Sequence, residues 1–153
     1  MASMLMNPAG WWHLLARFVT SLPGNPPSVA DEIWADDRLT NGERSLWVQL
    51  SNQDRRHSIA VAQRFVADRP DATVPEIAGA LLHDVGKIEC QLGTFGRVAG
   101  TLIGRRGKRF SAYHDHEAIG AEMAANVGSE VVTVELIAGF GPAIKSLNRS
   151  DHA

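Results

Sequence analysis

Ile77-Ala78-Gly79-Ala80-Leu81-Leu82-His83-Asp84-Val85-Gly86-Lys87 decides how this chain is read. An apolar run over 77–82 predicts a buried helix that delivers an imidazole and a carboxylate side by side at its end. Buried ionisable groups need a partner or a metal to offset lost hydration. Gly86 suits a helix stop, and Lys87 places one cation just beyond it. His and Asp are ligands for Zn, Mn or Fe, and the carboxylate also suits Mg. Lys87 is placed to meet an anionic group such as a phosphate. A lone His-Asp pair fits plain capping of a helix end better than a metal site, so the other His and Asp residues carry the decision.

Around this stretch the predicted elements are all helical. Residues 1–9 are expected to fray. Trp11, Leu14, Leu15 and Phe18 share one face of a short amphipathic helix over 11–22. Its adjacent Trp11 and Trp12 could suggest a membrane surface. Arg17 is its one fixed cation, however, so docking on the domain is expected instead. His13 reads as a surface residue. Pro23-Gly24-Asn25-Pro26-Pro27 is a turn or linker. The division is therefore an N-terminal extension over 1–27 and one helical domain over 28–153.

In that domain Ser28 caps a helix running to 34, with Asp31 and Glu32 in its first turn. Thr40-Asn41-Gly42-Glu43 is a capping box opening a helix to about 50, with Leu46, Trp47 and Leu50 inward. A helix over about 52–68 carries His57, with Ile59, Ala62, Phe65 and Val66 on its core face. Thr73-Val74-Pro75-Glu76 is a second capping box, and its helix ends in His83-Asp84. A further helix is expected over about 94–103, followed by a basic loop with Arg105, Arg106, Lys108 and Arg109. Ser111 opens a helix that stops at Gly128. Val131, Val132, Thr133 and Val134 also suit a strand, but no second strand candidate exists to pair with one, so 129–138 is read as helix. A last helix over 142–149 has Pro142 at its first position and leads into Asp151 and His152.

Composition bounds the function. With 153 residues, 44% hydrophobic and 21% charged, this is an ordinary globular domain able to bury a core. A net charge of −2 gives no reason to expect a nucleic acid or a membrane surface as partner. One cysteine, Cys90, excludes an internal disulfide and fits a reducing compartment. No basic region opens the chain, Pro8 and Gly10 interrupt any apolar core of a signal peptide, and no apolar run approaches a membrane span. A cytoplasmic protein is expected. The N-terminal tryptophans offer a surface for a homodimer.

Beyond His83 and Asp84, the candidate ligands are His57, His114, His116 and Asp151. Residues two apart on a helix point about 200° apart, so His114 and His116 cannot both face one site. His116 is preferred, because Ile119, Met123 and Val127 share its side and turn it inward.

The order His57, His83-Asp84, Asp151 resembles the HD superfamily of metal-dependent phosphohydrolases. Leu81-Leu82-His83-Asp84-Val85-Gly86-Lys87 is very close to that family's "LLHDIGK" core. Tyr113-His114-Asp115-His116-Glu117-Ala118-Ile119-Gly120-Ala121-Glu122 resembles its second signature, and Leu147-Asn148-Arg149-Ser150-Asp151 its closing segment. The match spans about residue 50 to the C-terminus. It implies a compact all-α bundle in which His57, His83, Asp84 and Asp151 hold a divalent ion (Mn, Fe, Zn, Co, Ni or Mg). Such an ion polarises a phosphoester oxygen and activates water for in-line attack. Asp84 holds it or bridges to a second, Lys87 contacts phosphate, and His116 ligates a second metal or orients the substrate. The stretch 131–140, where two-metal members often carry histidine, has none. One tightly held metal is therefore expected, with Glu117 and Glu135 as substitutes for a weaker second. Arg105 and Arg106 read as a solvated loop or as a lid that gathers phosphates.

The expected activity is hydrolysis of a phosphoester in a nucleotide or other small phosphorylated substrate. A catalytically inactive nucleotide-binding or regulatory module would keep the same ligands without turnover. A di-iron oxygenase would need more histidines than the chain offers.

Overall fold

The computed structural model describes residues 24–88 and 112–153. These form seven helices and no strand: α1 (Val29–Asp36), α2 (Asn41–Trp47), α3 (Asn52–Asp68), α4 (Val74–Leu81), α5 (Ala112–Asn126), α6 (Val131–Ile137) and α7 (Ile144–Asp151). The expected all-α class holds for the described residues. The helices expected over 11–22 and 94–103, the basic loop, Ser111 and Cys90 lie outside them.

Local chemistry sets the helix starts. Ser28 Oγ accepts the Asp31 amide at 3.1 Å. At α2 the capping box is complete. Thr40 Oγ1 accepts the Glu43 amide at 3.2 Å, and Glu43 Oε1 accepts the Thr40 amide at 2.9 Å. Glu43 is buried, and its second oxygen accepts Ser129 Oγ at 3.1 Å, which ties α2 to the turn after α5. Burial is tolerable because each carboxylate oxygen has a donor. α2 ends at Trp47 rather than near 50. Leu50 still reaches the core through a tighter turn, in which its amide bonds to the Trp47 carbonyl at 3.1 Å.

The second capping box is only half formed. Thr73 Oγ1 accepts the Glu76 amide at 3.4 Å, but the Glu76 carboxylate turns to Arg69, 2.7 Å away. An ion pair with a neighbouring guanidinium is stronger than a bond back to a neutral amide. Pro142 likewise precedes the last helix, which starts at Ile144 and runs on to Asp151 instead of stopping near 149.

α4 is the centre of the bundle. Glu76 through Leu82 are all buried, and α3 and α6 pack against it. α7 lies along α3, α5 against α6, and α2 touches α5. Trp47, Phe65, Leu81 and Leu82 are fully buried, each worth about 1.5–3 kcal/mol of apolar burial. The β-branched run folds as helix α6 because its burial has helical spacing. Thr133, Leu136 and Ile137 face inward, while Val131 and Val132 are exposed. Thr133 Oγ1 donates to the Pro75 carbonyl at 2.8 Å, fixing α6 on α4.

On α5 the most buried face is Gly120, Ala121 and Ala124. His116, Ile119, Met123 and Val127 lie half-buried beside it. The small residues let α5 approach closely, so the side expected to look into the core flanks it instead. No helix of the described residues is long and apolar enough to cross a membrane.

Candidate metal centre

The stretch after α4 is shaped by its two apolar anchors. Leu82 and Val85 are fully buried, and the chain between them turns with Val85 N–H bonded to the Leu82 carbonyl at 2.9 Å. His83 and Asp84, caught between the anchors, are thereby turned to a cavity of about 300 Å3. The pair thus sits on a turn just past α4, rather than on its last helical residues as expected.

α3 brings His57 to the same cavity, and α7 brings Asp151. Polar ties hold those two helices in register. Arg64 Nε donates to the Ser150 carbonyl at 2.8 Å, and Arg149 pairs with Asp68 at 2.7 Å.

The result is a tight cluster. His57 Nε2 lies 3.0 Å from Asp151 Oδ1 and 3.9 Å from Asp84 Oδ2. His83 Nε2 lies 3.4 Å from Asp84 Oδ2 and 3.4 Å from Asp151 Oδ1. The two imidazole rings are tilted by 55°, with centroids 5.8 Å apart. Donor atoms of His57, His83 and Asp151 all fall within 4.8 Å of one another. Metal–ligand bonds of about 2.0–2.2 Å set neighbouring donors about 3–3.5 Å apart, the spacing of the nearest contacts here.

His83 supplies the test of fit. Its Nδ1 donates to the Ala80 carbonyl at 2.7 Å, which leaves Nε2 as the lone-pair nitrogen. That atom is buried and has no hydrogen-bond partner, although two carboxylate oxygens face it. His83 is 9% exposed, against 41% for His57. Three lone-pair atoms around a buried point repel one another unless a positive charge sits between them. A proton or a metal ion satisfies that demand, and the donor set suits a divalent metal.

The titration directions carry the same message. Burial pulls the His83 pKa down, but the Asp151 and Asp84 carboxylates outweigh it, and the net shift is upward. The hydrogen bond from His57 first, and then the His83 imidazole close by, hold the Asp151 carboxyl far below the usual carboxylate range. Lys87 Nζ lies 3.0 Å from Asp84 Oδ2. Its pKa is lowered by burial but raised more by Asp84, Asp54 and Asp151, so it stays charged at the cavity wall.

The cavity continues past the cluster. His116 and Glu117 from α5 line it, outside the group of three close donors. The Glu117 carboxylate sits over Gly139, whose φ is +91°, and a β-carbon there would stand 3.0 Å from Glu117 Oε2. Both the backbone conformation and the space favour glycine at that position. Leu136, Ile137, Ile144 and Leu147 make an apolar wall.

Glu135, the other carboxylate considered for a second metal, is exposed and borders a smaller cavity of about 70 Å3 beside Phe140. It plays no part in this cluster. Arg105, Arg106, Lys108 and Arg109 lie outside the described residues, as does the side chain of His114. His152 is exposed. Asn148 lines the cavity and was missed by sequence reasoning. Its signal is the spacing 144, 147, 148 and 151, one stripe of α7 that faces the cavity throughout.

Comparison with protein-family models, with curated proteins and with solved structures yields no match for this chain.

Proposed function

We propose that this cavity is the active site of a divalent-metal-dependent phosphohydrolase on an HD-like scaffold, cleaving a phosphoester of a nucleotide or another small phosphorylated molecule. The observation that carries the reading is the buried, unpartnered Nε2 of His83 facing Asp84 and Asp151, with His57 closing the cluster. His57, His83, Asp84 and Asp151 would hold the ion. A divalent ion in that position lowers the pKa of water and polarises a phosphoryl oxygen.

The chain's own residues do the rest. The Ala80 carbonyl fixes the His83 tautomer, so its ligating nitrogen is always presented to the site. Lys87 brings a positive charge to the cavity wall, where it can meet phosphate oxygens. His116 and Glu117 offer an imidazole and a carboxylate on the far side, for a second ion or for orienting substrate. Leu136, Ile137, Ile144 and Leu147 exclude water from one wall and give a small organic group an apolar bed.

The test is elemental analysis of protein purified without chelator, followed by a phosphoester screen of the metal-loaded protein. One or two equivalents of a transition metal and turnover on a nucleotide or p-nitrophenyl phosphate are expected. Asp84→Ala should lose metal and turnover while keeping its helicity. Lys87→Ala should keep the metal and raise KM. Full metal occupancy in Asp84→Ala refutes the site. Metal-loaded protein without turnover on any phosphoester reduces it to a binding module.

A further inference from the structure

Lys87 stands between two carboxylates that come from different parts of the chain. Its Nζ is 3.0 Å from Asp84 Oδ2 and 4.0 Å from Asp54 Oδ1. Asp54 lies on α3, three residues before His57 and so close to the same helix face. Its side chain is held in place, because Oδ2 accepts Ser51 Oγ at 2.9 Å while the Asp54 amide donates to that hydroxyl at 3.1 Å. It is also largely buried, at 16% exposure, behind the cavity wall that Lys87 forms.

The oxygen that now holds Lys87 is also the oxygen turned toward the histidines. Asp84 Oδ2 lies 3.4 Å from His83 Nε2 and 3.9 Å from His57 Nε2. A divalent ion among those nitrogens and the Lys87 ammonium therefore compete for one carboxylate oxygen. The ion repels the ammonium as well as displacing it. Lys87, on a flexible four-carbon stem, needs only a small swing to move from Asp84 onto Asp54.

We propose that Asp54 is a positioning residue for the metal centre: it takes over Lys87 when a divalent ion takes Asp84, so that ion binding leaves no unpaired ammonium and keeps Lys87 at the cavity wall. The inference rests on the metal centre proposed above but not on any hydrolytic activity. Without Asp54, the ion must strip Lys87 from its carboxylate with no second carboxylate to receive it. The effect on ion affinity must then run through Lys87.

The experiment is calorimetric titration of Mn2+ into the full chain, stripped of metal beforehand, for wild type, D54N, K87M and the double variant D54N/K87M. D54N is expected to weaken Mn2+ binding about two- to fivefold, the range of a partly exposed ion pair. K87M is expected to strengthen it, and D54N is expected to add nothing in the K87M background. Asp54→Glu, which keeps a carboxylate, should restore affinity. If D54N does not fold by circular dichroism, D54S replaces it in the same cycle.

Unchanged affinity in D54N overturns the inference. So does an equal loss with and without Lys87, which would mean that Asp54 acts on the ion directly as a distant negative charge. A wild-type protein that takes up no Mn2+ removes the metal centre and this role together. The expected Mn2+ pattern in a protein with no phosphoester turnover retires the hydrolase reading alone and leaves the role of Asp54 standing.

Discussion

Gly86→Ala tests the geometry of the centre without touching a ligand. Gly86 packs directly on the backbone of α5. A β-carbon there would overlap the His116 carbonyl oxygen, and would stand 3.0 Å from the His116 carbonyl carbon and 3.1 Å from the Gly120 nitrogen. Comfortable contacts between such atoms begin near about 3.5 Å. The neighbours are main-chain atoms, so no side chain can rotate away, and the turn and α5 must separate by roughly an ångström or more to clear the His116 carbonyl oxygen. Overpacking of this kind costs about 1–3 kcal/mol. At about 2–4 °C per kcal/mol for a domain of this size, the thermal midpoint should fall by about 2–12 °C. The same separation moves His83 and Asp84, three and two residues upstream, away from His57 and Asp151. Mn2+ affinity should therefore fall as well. Gly120→Ala is a milder probe of the same contact, since its β-carbon would meet the Gly86 nitrogen at 3.1 Å and side-chain methyls of Ile137 and Val85 at 3.2 Å. Gly24→Ala has nothing within 4 Å and serves as the control. Thermal melts by circular dichroism and Mn2+ calorimetry should rank the losses Gly86→Ala, Gly120→Ala, Gly24→Ala. A Gly86→Ala protein with the wild-type midpoint and wild-type Mn2+ affinity would refute the reasoning.

Two further outcomes are expected. In chelator, stability should decline as pH rises above about 6.5. The raised His83 pKa contributes stability that is complete below the unfolded value and is lost as pH passes the folded one. The depressed Asp151 contributes stability already present above about pH 4, so it adds no slope in that window. Urea melts at pH 6 and pH 9 check this, and His83→Gln should flatten the difference. Thr133→Val should lose the 2.8 Å bond to the Pro75 carbonyl from a fully buried position, costing about 0.5–1.5 kcal/mol with Mn2+ affinity unchanged; a lower midpoint with an altered metal affinity would contradict the separation of that tie from the centre.

What the sequence made legible depends on how local the cause is. Ser28 and Thr40 mark helix starts because a cap is a contact within three residues, and both accept the amide that the sequence pattern predicts. Ser51 caps α3 in the same way, although its signal is weaker because no Glu or Gln stands three residues on to complete a box. The Thr73 box failed because Glu76 has a better partner in Arg69, seven residues back, which no local rule supplies. α6 was legible by elimination and is confirmed by its inward spacing of Thr133, Leu136 and Ile137. At the site, His57, His83, Asp84 and Asp151 do converge on one cavity, and Lys87 and His116 border it. Glu135 was illegible as an outsider, because Glu117 and Glu135 look alike until α5 and α6 are packed. Asn148 was missed because a lone amide in a polar helix carries no signal until its stripe is seen to face a cavity.

The cluster also explains why α7 must dock where it does. Asp151 is the last residue of α7, and its carboxylate is the one group of that helix within the close donor set. Arg64 and Arg149 hold α7 on α3 through a backbone carbonyl and a largely exposed ion pair, and such exposed pairs contribute little because solvent and salt screen them. Ser146, Leu147 and Ser150 give the helix only a narrow buried stripe. A bound divalent ion would join Asp151 to His57 on α3 and to His83 after α4, crossing an interface that has little apolar burial of its own. In the proposed site, ion binding and α7 docking would be one linked equilibrium, in which a bound ion would add stability by mass action. A carboxylate at the end of α7, opposite two histidines, would in that arrangement let an ion complete the packing that the helix leaves unfinished.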